Sequence, residues 1–178
     1  MPPTTIKVPV VIGENFCQVL VVTEIPLDPP ALTIKDIDKE VKVTNCKVIQ
    51  DKVIVNGILH KNINYKTLDE CKRTDEHEME DRHHLKDDFH LVCGDVRHCS
   101  VDIPFHCFVE VPGAEEDMDC QIEAAFVEGE KDELICPTKK DTFKVLKEKA
   151  IVRVDVKVTE TRQLCVNATE GACPDDNC

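Results

Sequence analysis

Cysteine is the residue type in this sequence most able to do chemistry, because the chain carries eleven of them among 178 residues. In an oxidising setting an odd number leaves at least one thiol free or bonded to another chain. No two cysteines have the Cys-x-x-Cys spacing that zinc ribbons and thioredoxin-type redox sites use. The spacing therefore favours structural disulfides over a compact metal or redox centre.

The positions of the cysteines predict that some of them bond between chains. Cys173 and Cys178 lie among the last six residues, and chain ends are exposed enough to reach a neighbouring molecule. The candidates for intermolecular disulfides are Cys17, Cys173 and Cys178. The other disulfide candidates are Cys46, Cys71, Cys93, Cys99, Cys107, Cys120, Cys136 and Cys165. The alternative is that mid-strand cysteines such as Cys107 stay reduced and pack as small hydrophobic side chains.

Histidine is the second residue type that could do chemistry, since six histidines lie within residues 77–106 with cysteines between them. Imidazole and thiolate both suit zinc or copper, so a metal site at His83, His84 and His90 is an alternative reading. No H-E-x-x-H motif and no fixed ligand spacing accompany them. The sequence therefore predicts neither a metal site nor another cofactor, and surface histidines near strand ends are the simpler interpretation.

Catalytic motifs are missing from the sequence. Ser100 is the only serine, and it does not lie in a G-x-S-x-G elbow. The glycines form neither a G-x-G-x-x-G nor a P-loop pattern. We therefore predict that the protein is not an enzyme.

Charge and hydropathy exclude several other classes. The chain has 22 basic and 35 acidic residues, a formal charge of −13, which disfavours nucleic acid and anionic membrane as partners. No apolar stretch approaches the ~18 residues of a membrane-spanning helix, and the first residues lack the basic and apolar regions of a secretory signal. A hydrophobic share of 42% predicts a folded chain with a core.

The elements that must position these residues are strands, because hydrophobic residues alternate with polar ones in several stretches. Valines occupy every second position of residues 152–158, and residues 101–111 are similar, with Pro104 marking an edge position or the start of the strand. Residues 52–65 are rich in β-branched side chains, and Asn56-Gly57 within them indicates a bulge or a tight bend. Strands are also predicted at residues 6–12 and 16–25, with a turn around Gly13, and prolines break the chain after residue 25. Helical spacing is weak, and its best candidate, residues 139–149, could equally be a strand with a turn. The pattern predicts an all-β fold, an antiparallel β-sandwich or barrel-like domain with extended terminal segments.

Two stretches resemble one known family. Residues 52–65 read KVIVNGILHKNINY, which resembles the K-V-I-V-x-G-x-L-x-K-x-I-x-Y stretch of the SPOCS domain family. Residues 103–114 read IPFHCFVEVPGA, which is similar to the I-P-F-x-x-F-V-E-V-P-G-A stretch of that family. The resemblance extends over residues 8–166 and implies a non-catalytic, mostly β interaction and assembly module of SipL-like spore-coat and spore-surface proteins in spore-forming bacteria.

The family resemblance organises the chain into three parts. Residues 1–30 form N-terminal strands or an arm that subunits could exchange, residues 31–166 form a SPOCS-like β domain with a charged loop at 68–90, and residues 167–178 form a tail that contains cysteines. The sequence lacks the LysM repeat of the morphogenetic proteins and is richer in cysteine, which favours a structural component over a recruitment adaptor.

The resulting prediction is a self-assembling structural protein of the spore surface (coat, exosporium or appendage fibre), stabilised by disulfides between subunits and by strand addition. Its partners would be further copies of itself and other spore-coat proteins, and it would be made in the mother-cell cytoplasm without a signal peptide. Two alternatives remain open. One is a binding module that recruits another coat protein or a glycan, and the other is a metal-binding protein that uses the His/Cys region.

Overall fold

The computed structural model describes residues 4–68 and 93–166, and these residues form only strands and their connections. The strands are β1 (Thr4–Ile49), β2 (Lys52–Thr67), β3 (Val96–Glu110), β4 (Asp119–Pro137) and β5 (Phe143–Val166). All pairings are antiparallel, in one open sheet with the order β3-β2-β1-β5-β4. The predicted all-β fold is confirmed. Within the described residues no helix of membrane-spanning length and apolarity occurs.

β1 is 46 residues long and serves two partners in succession. Its first part, up to Pro26, pairs with β5, and its second part, from Ala31 onward, pairs with β2. Pro29 and Pro30 lie at the change of partner, and the Asp28–Pro29 peptide is cis. Proline lacks a backbone N–H group and cannot donate to a ladder, so the prolines suit the point at which the strand leaves one neighbour for the other.

The change of partner folds the sheet over on itself. One layer contains the first part of β1 with β5 and β4, and the other contains the second part of β1 with β2 and β3. β2 and β5 are separated by β1 in the sheet order, yet the side chains of Lys61 and Glu148 meet between them. At one margin the Asn15 amide donates a 2.8 Å hydrogen bond to the Glu110 carbonyl. The arrangement is therefore sandwich-like, with the core between the two layers.

Alternation along β2 and β5 builds that core. Every second residue of β2 from Val53 is buried, and so is every second residue of β5 from Leu146 to Val158. Most of these side chains are aliphatic, and each contributes about 1.5–3 kcal/mol when it is fully buried. When one face of a strand is buried in this way, its pairing register with the neighbouring strands is fixed. A slip of one residue would turn all of its apolar side chains toward solvent.

The structure corrects the predicted interruptions of the N-terminal strands. The predicted turn around Gly13 is wrong, because β1 continues there with only a shift of register between Val11 and Gly13. β5 extends far enough to pair with both sides of this point, so the ladder absorbs the irregularity as a bulge. The predicted bulge at Gly57 instead lies on the opposite strand, between Val43 and Asn45.

Two other predicted segments have the following local structure. Residues 4–26, predicted as strands or an exchangeable arm, pair with β5 of the same chain. The weak helical candidate at residues 139–149 is a turn at 139–141 followed by β5, which is the strand-with-turn reading. Most of the predicted charged loop and the whole of the predicted tail lie outside the described residues.

Gly57 allows β2 to pass close to its neighbours. A Cβ atom at this position would clash with the Phe105 ring and lie 2.9 Å from the Lys42 carbonyl oxygen. We expect Gly57→Ala to lower the free energy of unfolding by about 1–3 kcal/mol, the usual cost of overpacking, as measured by denaturant titration. Gly129→Ala is the matched control, since a Cβ atom there meets no heavy atom within 4 Å. Equal stability of the two variants would contradict the close approach.

Candidate functional site

Two disulfides close the margins of the sandwich. Cys17 of β1 bonds to Cys107 of β3, and Cys46 of β1 bonds to Cys120 of β4. The Cα–Cα distances are 6.5 Å and 6.1 Å, within the usual range for a disulfide. Each bond joins two strands that are not neighbours in the sheet, so both bonds hold the layers together.

The Cys17–Cys107 bond corrects the sequence prediction that Cys17 bonds to another chain. The alternation of β1 turns Cys17 inward, where it is buried in the core and faces β3. In the folded chain this sulfur is already bonded. The other two intermolecular candidates, Cys173 and Cys178, lie outside the described residues. Cys71, from the second set of candidates, also lies outside them.

The described part of the chain also contains three free thiols, at Cys99, Cys136 and Cys165, while Cys93 is disulfide-bonded. Cys136 and Cys165 are exposed, and Cys99 is half-buried. Burial raises the pKa of the Cys99 thiol, so this residue carries little of the reactive thiolate. Cys136 and Cys165 are therefore the described thiols best able to bond to another molecule.

The two exposed thiols lie toward opposite ends of the β4–β5 pair. Cys136 directly precedes Pro137, which pairs with Phe143 at the start of β5. Cys165 is the second-last residue of β5, opposite Thr5. With a rise of about 3.3 Å per residue, the two positions are separated by roughly 70 Å along the strand direction. Two thiols this far apart can each form a disulfide with a different neighbouring molecule.

A two-stranded ribbon extends from the body near Cys165. The last β4–β5 pair on this side is Asp119 with Thr159, whereas β5 continues to Val166 paired with β1 alone. We call residues 4–10 and 160–166 the terminal ribbon. Within the described residues, no third strand pairs with either outer edge of the terminal ribbon. Its unpaired N–H and C=O groups are a template for strand addition.

Five apolar side chains are exposed, among charged ones, on the outer face of the layer that contains β4 and β5. We call this group the outer patch; it consists of Phe16, Leu20, Val22, Phe126 and Ile151, each at least 40% exposed. Leu20 and Ile151 pair directly across strands, and the Arg153 guanidinium lies 4.0 Å from the centroid of the Phe16 ring. Large apolar side chains exposed together on one face can form a contact surface.

The outer face of β2 and β3 is mixed: exposed Ile54 and Phe108 pair across the two strands, and polar pairs lie beside them. His60 Nδ1 lies 2.5 Å from Asp102 Oδ1, and His106 Nδ1 lies 2.9 Å from Asn56 Oδ1. Ser100 donates to Asn62 on the same face. The His/Cys metal reading is not tested by these pairs, because His83, His84 and His90 lie outside the described residues.

The His60–Asp102 pair gives a simple test of the β2–β3 register, in which the two residues lie directly opposite each other. The hydrogen bond that His60 donates to the Asp102 carboxylate raises the pKa of His60 above its ordinary value of 6.5. We expect the NMR titration midpoint of His60 to fall in Asp102→Asn, because the carboxylate that stabilises the imidazolium is gone. Asp95→Asn, which alters the partner of Arg97 instead, should leave the midpoint unchanged. An unmoved midpoint in Asp102→Asn would argue against this pairing.

The most unusual group in the described residues is a charged cluster inside the core. Lys61 and Glu148 are both 0% exposed, and the Lys61 ammonium contacts Glu148 Oε1. Lys61 Nζ also lies 3.6 Å from Glu130 Oε2 and 3.6 Å from Asp132 Oδ1. Lys39 forms an ion pair with Glu130 at the outer side of the cluster. We call these five residues the core charge cluster.

A bulge in β4 turns two of the carboxylates toward the core. The register shifts between Val127 and Gly129, which inserts one extra residue and reverses the alternation of the strand. Before the shift Val127 pairs with inward-facing Val152, and after it Glu130 and Asp132 occupy the positions opposite Ala150 and Glu148. The bulge therefore places two acids, Asp132 and Glu148, side by side, which is unfavourable unless a cation lies between them.

The core charge cluster is costly to bury. Burial raises the pKa of the Glu148 carboxyl, and the contact with the charged Lys61 opposes that shift. Lys61 Nζ, Asp132 Oδ1 and both Glu148 oxygens are buried without a well-directed hydrogen bond. The Coulomb attraction of a buried ion pair often fails to offset its desolvation. The cluster separates two apolar clusters, one around Leu59 and Val152 and one around Ile63 and Leu146.

Three carboxylates of the core charge cluster converge closely enough to hold a metal ion: Glu130, Asp132 and Glu148. In the described residues no histidine or cysteine joins such a group. The Lys61 ammonium already lies among the carboxylates and supplies the positive charge that the group requires. The arrangement is therefore that of a lysine held by acids.

The sequence contains a signal for this cluster, although no sequence motif marks it. Lys61 stands in phase with Val53, Val55 and Leu59 of β2, so alternation alone turns it inward. Glu148 extends the inward-facing valine series of β5 in the same way. A charged residue in the buried phase of a strand predicts a partner across the core, although it does not say which strand supplies the partner.

The comparisons with known proteins agree with the resemblance seen in the sequence. The family model described as SipL, SPOCS domain, matches residues 30–130, and a domain of unknown function, DUF7852, matches residues 3–54. The chain is 29% identical to Exosporium protein C of Clostridium sporogenes over 61% of its own length, and it spans 38% of the length of that curated relative. No solved structure matches the chain. Since the first model covers more than half of the chain, the protein belongs to the SipL SPOCS-domain family.

Proposed function

We propose that this protein is a self-assembling structural component of the spore surface, joined to its neighbours by strand addition and by disulfides between subunits. The observation that carries the proposal is the terminal ribbon with its open edges, together with exposed free thiols toward both ends of the β4–β5 pair. Membership of the SPOCS-domain family and similarity to an exosporium protein support a structural role at the spore surface.

Strand addition follows from the geometry of the ribbon. An extended segment of a neighbour can hydrogen-bond to either open edge, and the main chain supplies the affinity in such contacts. The two ends of the molecule differ, so a contact that joins one end to the other is head-to-tail. A head-to-tail contact that does not close into a ring produces a fibre.

Disulfides would then make these contacts permanent. Cys136 and Cys165 replace Cys17 as the described candidates, beside the predicted candidates Cys173 and Cys178. Synthesis in the mother-cell cytoplasm followed by exposure to oxidising conditions would allow assembly first and bonding afterwards. Each bond would convert a reversible contact into a covalent one. No catalytic role is part of this proposal.

Non-reducing denaturing electrophoresis tests the proposal on the purified full chain. We expect a ladder of multimers that collapses to monomer on reduction, and filaments in negative-stain images of the unreduced sample. Replacing all four candidates by alanine (Cys136, Cys165, Cys173 and Cys178) should remove the ladder, because no exposed thiol of this set remains. Cys99→Ala is the matched control and should keep it. A monomeric wild type in both lanes would exclude disulfide-linked assembly. A ladder that survives the fourfold change would exclude these four cysteines as its source.

The outer patch favours a second candidate, a module that docks another coat protein through that face. Its five apolar side chains are exposed on one layer, as a protein interface requires. Such a module would stay monomeric in size-exclusion chromatography and would have no ladder. Leu20→Lys should then abolish capture of the coat partner without altering the oligomeric state.

A further inference from the structure

We propose that Lys61 and Glu148 form an intramolecular amide bond between Nζ and Cδ, with Asp132 as the proton acceptor and water as the leaving product. The two reacting side chains belong to strands of different layers and contact each other in the core. The proposal concerns a modification within one chain and does not depend on whether the chain assembles.

Proximity is the first requirement of this reaction, and the fold meets it. Lys61 Nζ contacts an oxygen bonded to Glu148 Cδ, and both side chains are fully buried. Two groups fixed at contact distance react as if each were present at a very high concentration. The reason is that folding has already removed the translational and rotational freedom that a reaction between separate molecules would lose. The surrounding aliphatic side chains exclude the water that would hydrolyse the product.

Protonation is the second requirement. The attacking amine must be neutral, and the carboxyl group reacts best in its protonated form. Burial raises the pKa of Glu148, which favours the protonated acid. Asp132 Oδ1 lies 3.6 Å from Lys61 Nζ and has no well-directed hydrogen bond of its own, so it is placed to accept the ammonium proton.

The step balances without an oxidant or a cofactor. Lys61 gives one proton to Asp132, and the amine lone pair attacks Glu148 Cδ to form a C–N bond. Asp132 returns this proton to the hydroxyl group of the tetrahedral intermediate, the C–O bond breaks, and water leaves. The nitrogen then loses its remaining extra proton to Asp132. The net change is an ammonium and a protonated carboxyl group converted to an amide, one water and one released proton.

The product resolves the electrostatic problem of the core charge cluster. Two buried ionisable groups become one neutral amide, whose N–H can donate to Asp132. Glu130 keeps its ion pair with Lys39. Removing buried ions that lack sufficient hydrogen bonds is favourable in a core. The amide would join β2 to β5 across the sandwich and, unlike the two disulfides, would survive reductant.

Intact mass spectrometry of the full chain, reduced and denatured, tests the proposal. The wild type should be lighter than its sequence mass by one water molecule, and proteolysis should yield a branched peptide that joins the segments around Lys61 and Glu148. Lys61→Met and Glu148→Leu should each restore the full mass. Lys39→Met is the matched control, since it removes a lysine of the same cluster that does not contact Glu148, and it should keep the loss of water.

Asp132→Asn separates the chemistry from packing. It keeps the size of the side chain but removes the proton acceptor, so water loss after folding should slow at least tenfold, while far-ultraviolet circular dichroism stays that of a β protein. A wild-type chain that is folded by the same criterion and has its full sequence mass after prolonged incubation would overturn the proposal. A branched peptide that carries Asp132 in place of Glu148 would overturn the assignment of the reacting carboxyl group.

Discussion

Replacing the four cysteines of the two disulfides by alanine should strongly destabilise the protein. The four residues are Cys17, Cys107, Cys46 and Cys120. The two disulfides close loops with sequence separations of 90 and 74 residues, and a loop of that length contributes about 4–5 kcal/mol in the chain-entropy description. The loops overlap, so the sum is smaller than twice that value. A domain is stable by only about 5–15 kcal/mol, and the variant should therefore be largely unfolded or unfold at a much lower denaturant concentration.

Denaturant titration followed by circular dichroism measures the effect, with each disulfide also removed alone. The single pairs Cys17→Ala/Cys107→Ala and Cys46→Ala/Cys120→Ala should each cost about 2–5 kcal/mol. Cys136→Ala is the matched control, because it removes an exposed free thiol and should leave the midpoint unchanged. Wild-type stability in the fourfold variant would show that the margins do not need the bonds.

Much of the fold could be predicted because alternation is a local property. The buried phase of residues 152–158 follows directly from every second residue being apolar, and that of residues 52–65 from most of them being so. Of the two readings of Pro104, the edge position is the correct one, since β3 is an edge strand. The interruptions were harder. Taken by itself, Gly13 predicts a turn. In the structure β1 pairs with β5 both before and after Gly13, and this pairing outweighs the turn preference of one glycine.

The site was less predictable because it depends on how the sheet folds over. Nothing local shows that Cys17 faces Cys107, 90 residues away, since that contact follows from the change of partner along β1. The same holds for Lys61 and Glu148, whose strands are not neighbours in the sheet. The inward phase of each charge was readable from alternation. The bulge after Val127, which brings Asp132 to the same place, has no comparable signal in the sequence.

Lys61→Met should be the most destabilising single substitution in the core. It removes the cation that lies among three carboxylates and leaves Glu148 buried without its contact. Breaking a buried pair by removing one partner costs about 3–5 kcal/mol, because the remaining charge stays uncompensated. If the amide bond forms, the variant loses that cross-link as well, so the observed loss of unfolding free energy should lie at or above this range.

The pH dependence of Lys61→Met identifies the remaining charge as the cause. Burial already raises the pKa of Glu148 above its ordinary value of 4.5, and Lys61 opposes the shift, so removing Lys61 must raise this pKa further. A carboxyl group whose folded-state pKa exceeds its unfolded value stabilises the fold below the unfolded value. That stabilisation disappears as pH rises through the folded pKa. Lys61→Met should therefore recover stability in acid and lose it toward neutral pH.

The double variant Lys61→Met/Glu148→Leu separates charge from packing. It replaces both groups by apolar side chains of similar volume, and such replacements of buried ion pairs are often neutral or stabilising. Asp132 and Glu130 remain, but they are partly exposed and Lys39 stays beside them. The double variant should therefore regain most of the stability lost in Lys61→Met and should lack its acid recovery. If it were as unstable as the single variant at every pH, packing around the lysine stem, and not the buried charge of Glu148, would be what Lys61 supplies to the core.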